Sequence, residues 1–178
     1  MKIKRIINKA IFAVQRASLL PLVYTNHRIY MRFYNKILKA AGLTLNGTPR
    51  FIAYSAKFDD FNLITLGDRL VVSSNVIFLT HDYSFTTSLI SINEKPETDI
   101  GLLGPITIGD NVFIGMNSML LPGTTIGNHV IIGAGSVVRG KVPDYSIVSG
   151  NPATYVVDIR EHASKLKEKN YLTRIDKK

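Results

Sequence analysis

From Ile108 onward an aliphatic residue returns at every sixth position, through Ile114, Leu120, Ile126, Ile132 and Val138. The fifth place of each hexad is held by Val112, Ser118, Thr124, Val130, Ser136 or Val142, all small or β-branched. A period of six matches neither the 3.6 of an amphipathic helix nor the 2 of a half-buried strand, so the segment reads as a solenoid of stacked coils. The aliphatic place points into a narrow core on each face, and the fifth place fits the corner beside it. Gly109, Gly115, Gly127 and Gly133, in the second place, are expected to supply backbone angles that other residues resist. Three hexads make a triangular coil of eighteen residues. The longer repeat agrees: Gly109-Asp110-Asn111-Val112 returns as Gly127-Asn128-His129-Val130, and Gly67-Asp68-Arg69-Leu70 is an earlier copy.

The first fifty residues carry a different pattern. Lys2, Arg5, Lys9 and Arg16 share one helical face, and Ile3, Ile7, Ala10, Val14 and Ala17 share the opposite one. A second helix is predicted from about His27 to Ala41, closed by Gly42. The division that follows is a helical arm over 1–45, a β-helix over 46–157 and a short helix and tail over 158–178. The fold class is thus an all-β solenoid with helical ends. The beat runs through Leu66, Val72 and Phe78, reaches Thr80-His81-Asp82, and stops until Ile106. This excursion, residues 82–105, is where chemistry is expected, because long departures from a compact solenoid carry function.

The stretch from Leu63 to Val156 holds the runs Ile108-Gly-Asp-Asn-Val-Phe-Ile-Gly115, Leu121-Pro-Gly-Thr-Thr-Ile-Gly127, Ile131-Ile-Gly-Ala-Gly-Ser-Val-Val138 and Gly150-Asn-Pro-Ala153. In these it resembles the hexapeptide-repeat acyltransferases, most of all the maltose/galactoside acetyltransferase branch and the capsular and exopolysaccharide O-acetyltransferases. The resemblance implies a left-handed parallel β-helix, a homotrimer, and acetyl-CoA as donor. The left hand comes from the resemblance alone, since crossovers in general prefer the right.

His81 coincides with the family's catalytic histidine in its Thr-His context. Transfer of acetyl from a thioester to a hydroxyl requires that the hydroxyl lose a proton as it attacks, and a neutral imidazole accepts that proton and returns it to the departing thiolate. Asn62, nineteen residues earlier and about one coil away, is expected beside His81 as an acceptor-binding residue. Asp82 is a candidate to orient the imidazole or bind acceptor, and Tyr83 and Phe85 to line the acceptor pocket. For the donor, the resemblance puts the pantetheine arm along Phe113, Gly115, Met116, Gly133 and Ala134, between subunits. Arg139 and Lys141 are candidate partners of the CoA phosphates. After Gly150-Asn-Pro-Ala the family often has Lys or Arg where this chain has Thr154-Tyr155, so Arg160 is a candidate replacement. His129, within a repeat corner, reads as structural.

Composition narrows these readings. The 178 residues contain no cysteine, which excludes a cysteine acyl-enzyme, disulfides and thiolate metal sites. The net charge of +9 is concentrated at one end: residues 1–50 hold ten Lys and Arg and no Asp or Glu, and the rest sums to −1. The apolar run Ala10–Val14 is shorter than a signal-peptide core, so the protein is expected in the cytoplasm. The arm has two readings. Its apolar face covers the open end of the β-helix, or residues 1–20 lie on an anionic membrane at the inner face of the cell membrane. No reader motif or stacking platform accompanies the charge, so nucleic acid is not an expected partner. No metal is expected: a zinc anhydrase on this solenoid needs a close histidine pair, and His27, His81, His129 and His162 do not form one. The expected reaction is O-acetylation of a sugar or glycan precursor, including a lipid-linked one. The alternatives are N-acetylation of an amino sugar and a noncatalytic scaffold.

Overall fold

The computed structural model describes residues 2–169, with side chains from Ala10 onward. Three helices open the chain: α1 (Lys2–Ser18), α2 (Leu20–Thr25) and α3 (His27–Ala40). The side chain of Asn26 accepts from the Ile29 amide at the start of α3, and Gly42 ends it with φ +109°. The predicted cations Lys2, Arg5 and Lys9 and the apolar Ile3 and Ile7 lie outside the described side chains.

The hexad beat then winds three parallel sheets into a prism. The first face stacks Thr44–Leu45, Ile64–Leu66, Ile106–Ile108, Thr125–Ile126 and Lys141–Val142. The second stacks Phe51–Ile52, Val71–Val72, Phe113–Ile114, Ile131–Ile132 and Ser146–Gly150, and is closed by the antiparallel strand Ala153–Asp158. The third stacks Lys57–Phe58, Ile77–Phe78, Met119–Leu120 and Val137–Val138. The coil is eighteen residues where the beat is clearest, pairing Phe113 with Ile131 and Met119 with Val137. It is twenty in the first coil, where Phe51 faces Val71, is stretched by the excursion in the next, where Val71 faces Phe113, and narrows to sixteen in the last, where Ile131 faces Ile147.

Each aliphatic hexad opener from Ile108 to Val138 is buried, and so is every fifth place. The buried corner hydroxyls are satisfied by backbone carbonyls: Ser118 and Ser136 donate to the Gly133 oxygen, and Thr124 donates to Leu121. The second-place glycines work differently from the expectation. None has a positive φ; the left-handed conformation belongs instead to the fourth place, at Asn111, Asn117 and His129 with φ of 54–60°. What the second place requires is closeness. A Cβ on Gly115 would lie 2.5 Å from the Ala134 amide nitrogen of the next coil, so only a hydrogen fits there.

The core is continuous from the arm into the prism, running from Phe12, Tyr30, Tyr34 and Leu38 to Val148. Tyr30, Tyr34 and Leu38 of α3 are fully buried against the first coil, and the Tyr30 hydroxyl donates to the Ile52 carbonyl. α3 therefore covers the open end of the β-helix. The excursion is more ordered than a loop reading implies. His81–Asp82 pairs antiparallel with Leu102–Leu103, and a short helix α4 (Phe85–Ser91) fills the span between. The chain closes with α5 (Ile159–Glu168), and the rest of the predicted C-terminal tail lies outside the described residues. Among the described residues no helix is long and apolar enough to cross a membrane.

Candidate active site

One edge of the prism, between the third and first faces, gathers the polar groups. In the early coil this edge carries Asp59, Asp60 and the 3-10 turn Phe61–Leu63; one coil on it carries Leu79, Thr80 and His81. The Asp60 amide donates to Thr80 Oγ1 at 3.1 Å, and the Thr80 hydroxyl, fully buried, donates back to Asp60 Oδ2 at 3.1 Å. This exchange locks the two coils in register next to the imidazole. His81 Nδ1 lies 3.0 Å from Asp60 Oδ2 in hydrogen-bond geometry, and 2.6 Å from Asp59 Oδ2.

A carboxylate can only accept, so Nδ1 carries the proton and donates it. The tautomer that results leaves the Nε2 lone pair free. Two carboxylates beside one ring also stabilise the positive charge that appears when Nε2 takes a proton. The same three side chains place one ligand atom each within 4.8 Å and form the group that could hold a metal ion among the described residues. An ion there would compete for Nδ1 and leave Nε2 untouched.

Asp59 and Asp60 were not identified from the sequence as partners of His81. Counting nineteen residues back from His81 lands on Asn62, but this coil has twenty, and the ring reaches back to the pair just before. Asn62 lies on the same edge, exposed on its 3-10 turn. Asp82, read as a candidate to orient the ring, does something else. Its Oδ1 accepts from the Ser84 amide at 2.8 Å, which holds its carboxyl below the usual range and turns the chain into α4. The Tyr83 ring meets His81 edge-on at 5.2 Å and packs over Gly101, while Phe85 opens α4 half-exposed.

The proposed donor residues fall on two edges. Gly115, Met116, Gly133 and Ala134 stack at the corner between the second and third faces, beside the half-exposed Phe113. Arg139 and Lys141 flank the edge that carries His81, two coils further along, or about 10 Å at the spacing of stacked strands. Both are exposed. Arg160 is engaged elsewhere. Its guanidinium bonds both carboxylate oxygens of Asp158, at 2.9 and 2.6 Å, and lies 4.3 Å over the Tyr145 ring. That pairing holds Asp158 at a pKa of about 2. Tyr145 in turn stacks on His129 at 5.1 Å, and His129 Nδ1 meets Asn111 at 2.9 Å, so His129 belongs to a structural ladder along a corner.

Residues 105–140 match the model of the bacterial transferase hexapeptide family, six repeats. A putative lipopolysaccharide biosynthesis O-acetyl transferase of Escherichia coli is 37% identical over 151 residues, covering 78% of this chain and 76% of that one. The chain belongs to the hexapeptide-repeat acyltransferases. A second member, the galactoside O-acetyltransferase of E. coli, is 31% identical over 113 residues, 64% of this chain and 52% of its own length. The solved structure of a galactoside acetyltransferase in complex with coenzyme A superposes with a TM-score of 0.59 at 20% identity, over 93% of this chain and 86% of that one. The hexapeptide-repeat acetyltransferase from Vibrio cholerae also gives 0.59, at 17% identity, over 88% and 93%. The architecture shared with these acyltransferases is the left-handed parallel β-helix.

Proposed function

We propose that this acyltransferase moves acetyl from acetyl-CoA to a hydroxyl of a sugar in a surface-glycan precursor, with His81 as general base. The observation that carries the reading is the contact of His81 Nδ1 with Asp60 Oδ2 at 3.0 Å. Asp60 accepts from Nδ1, with the Asp59 carboxylate beside it as a charge, and Nε2 is left to take the acceptor proton. As the O–H proton passes to Nε2, the acceptor oxygen bonds to the thioester carbonyl carbon. The tetrahedral adduct then breaks its C–S bond, and the imidazolium returns the proton to the thiolate. No enzyme-bound acyl group forms.

The donor lies in a groove between subunits of a homotrimer, where the His81 edge of one copy faces the Gly115–Ala134 corner of the next, with Arg139 and Lys141 toward the CoA phosphates. Asn62, Tyr83 and Phe85 hold the acceptor. The names of the relatives support this choice, since they include O-acetyl transferases of lipopolysaccharide and galactosides. The test is thiol release from acetyl-CoA across a panel of free and lipid-linked sugars, with the product analysed by mass. An ester product is cleaved by mild base and an amide survives, so an alkali-stable product assigns N-acetylation instead. No thiol release above the uncatalysed rate with any acceptor overturns the proposal.

A further inference from the structure

Between Ala10 and Ala17 the exposed side of α1 is mostly apolar, with Gln15 its one polar member. Of the two readings of this helix, the first would turn Ala10, Val14 and Ala17 inward and Arg16 out to solvent, and the side chains do the opposite. Phe12 and Leu19 are the buried residues, and Arg16 turns in, with its guanidinium 4.4 Å over the Tyr54 ring and donating to the Tyr54 carbonyl. Val14 is 72% exposed and Ile11 49%, and Ala10, Ala13 and Ala17 are exposed with them. Capping of the β-helix is done by α3 and by the Phe12 side of α1.

α3 continues the pattern. Its exposed side carries the cations Arg28, Arg32, Lys36 and Lys39, and beside them at helical spacing Ile29, Phe33 and Ala40, with Lys36 standing between Phe33 and Ala40. Ala40 shares a shallow cleft of about 160 Å³ with Ile11, Phe12, Gln15 and Ala41, which joins the apolar strip of α3 to the apolar face of α1. Tyr24 at the end of α2 is 82% exposed. No carboxylate occurs before Asp59. An apolar face flanked by cations, with no acid, is the composition of a helix that lies in a lipid headgroup layer.

We propose that the outer faces of α1 and α3 dock the enzyme on an anionic lipid surface. A second copy docked face to face is a poorer occupant, because that two-fold contact brings Arg28, Arg32 and Lys39 together, and the head-to-tail contact of a ring is the outcome that the oligomeric mass tests below. The docking places chemistry near the membrane. The Phe12 ring packs, tilted, at 4.7 Å against Phe61, which sits between Asp60 and Asn62. One helix diameter, about 10 Å, then separates the lipid from the edge that carries His81. The surface is separate from the reacting groups, so the docking does not depend on the acetyl-transfer reading.

Flotation of the full chain with phosphatidylcholine vesicles, with and without phosphatidylglycerol, tests this. Binding is expected only to the anionic vesicles, and is expected to fall as salt rises. Val14→Glu or Phe33→Glu should abolish it. Arg28→Glu with Arg32→Glu should lower partitioning roughly 25-fold or more, at about fivefold per cation. All four side chains are exposed, and circular dichroism and light scattering should match wild type. Thiol release with a soluble sugar should also be unchanged, so loss of flotation with retained turnover separates docking from catalysis. The proposal is overturned if the full chain stays unbound at low salt, if these variants still float as wild type, or if Val14→Glu and the milder Val14→Ser change the oligomeric mass rather than the flotation.

Discussion

His81 and Asp60 are joined twice, directly through Nδ1 and Oδ2 at 3.0 Å and indirectly through Thr80, which bonds both the amide and the carboxylate of Asp60. The second link fixes where the carboxylate sits, and the first fixes the ring. If His81 is the base, His81→Ala lowers kcat by roughly 10² to 10⁴ while the fold and acetyl-CoA binding persist. Asp60→Asn keeps the shape but can offer its amide NH₂ to Nδ1 and so favour the wrong tautomer. It should lower kcat by about 10² or more with the KM for acetyl-CoA unchanged. A purely structural Asp60 would instead show normal kcat and reduced thermal stability. Dialysis against a chelator should leave turnover as it was. Loss of activity that zinc or another divalent ion restores would reassign Asp59, Asp60 and His81 as metal ligands.

The two candidate phosphate partners make opposite predictions. Arg139 is exposed on the His81 edge and Arg160 is clamped by Asp158 and Tyr145. Arg139→Ala should raise the KM for acetyl-CoA severalfold with little change in melting temperature. Arg160→Ala should leave that KM alone and lower the melting temperature, because it releases the Tyr145–His129 ladder. Steady-state kinetics with calorimetry on both variants decides, and the reverse pattern would move the donor phosphates to the C-terminal helix.

How far the sequence led depends on what the pattern records. The hexads marked the core because burial is a property of each position, and Ile108, Ile114 and Leu120 are buried as their periodicity requires. The partners of His81 were invisible because they depend on coil length. The twenty-residue coil carries two residues more than the eighteen-residue beat, and those two shift which side chains stand beneath the ring. The orientation of α1 was hidden for a different reason. Its helical wheel separates cations from apolar residues but does not say which side faces the protein, and Phe12, Leu19 and the aromatic Tyr54 under Arg16 settle it. The excursion looked unpatterned because its order rests on a ladder only two residues long, His81–Asp82 with Leu102–Leu103, a short helix and single bonds, Asp82 to Ser84 and Thr86 to Ile100.

Gly115 tests the closeness of the coils. A methyl group there meets the Ala134 backbone at 2.5–2.8 Å, and backbone in a stacked coil cannot move aside without breaking its ladder. Gly115→Ala should destabilise by about 1 to 3 kcal/mol or more. Gly135, with φ +70° and open space around its Cβ direction, is a contrasting case: Gly135→Asn should be tolerated, since Asn accepts the left-handed region. Equal melting temperatures for the two variants would refute the steric account.

Tyr34 links stability to alkaline pH. Its ring is fully buried under the arm and its hydroxyl has no hydrogen-bond partner among the described residues, whereas the Tyr30 hydroxyl donates to Ile52. Burial pushes the Tyr34 phenol up from 10.0 to about 12, and burial raises Tyr30 as well. The folded state therefore holds the phenol protons more tightly than the unfolded chain. That stability is fully present below pH 10, where both states are protonated, and is lost between about pH 10 and 12, where only the unfolded chain ionises. For Tyr34 the loss over that window is about 2 to 3 kcal/mol at 1.4 kcal/mol per unit. Denaturant titration at a series of pH values should show the midpoint flat up to pH 10 and falling above it. Tyr34→Phe removes one of the two ionisations without removing a hydrogen bond, so it should be near neutral at pH 7 and make the alkaline fall smaller, with Tyr30 keeping its own share. Tyr30→Phe should cost about 1 kcal/mol at pH 7 through the lost bond to Ile52. An alkaline fall of the same size in Tyr34→Phe would show that a group other than this phenol controls it.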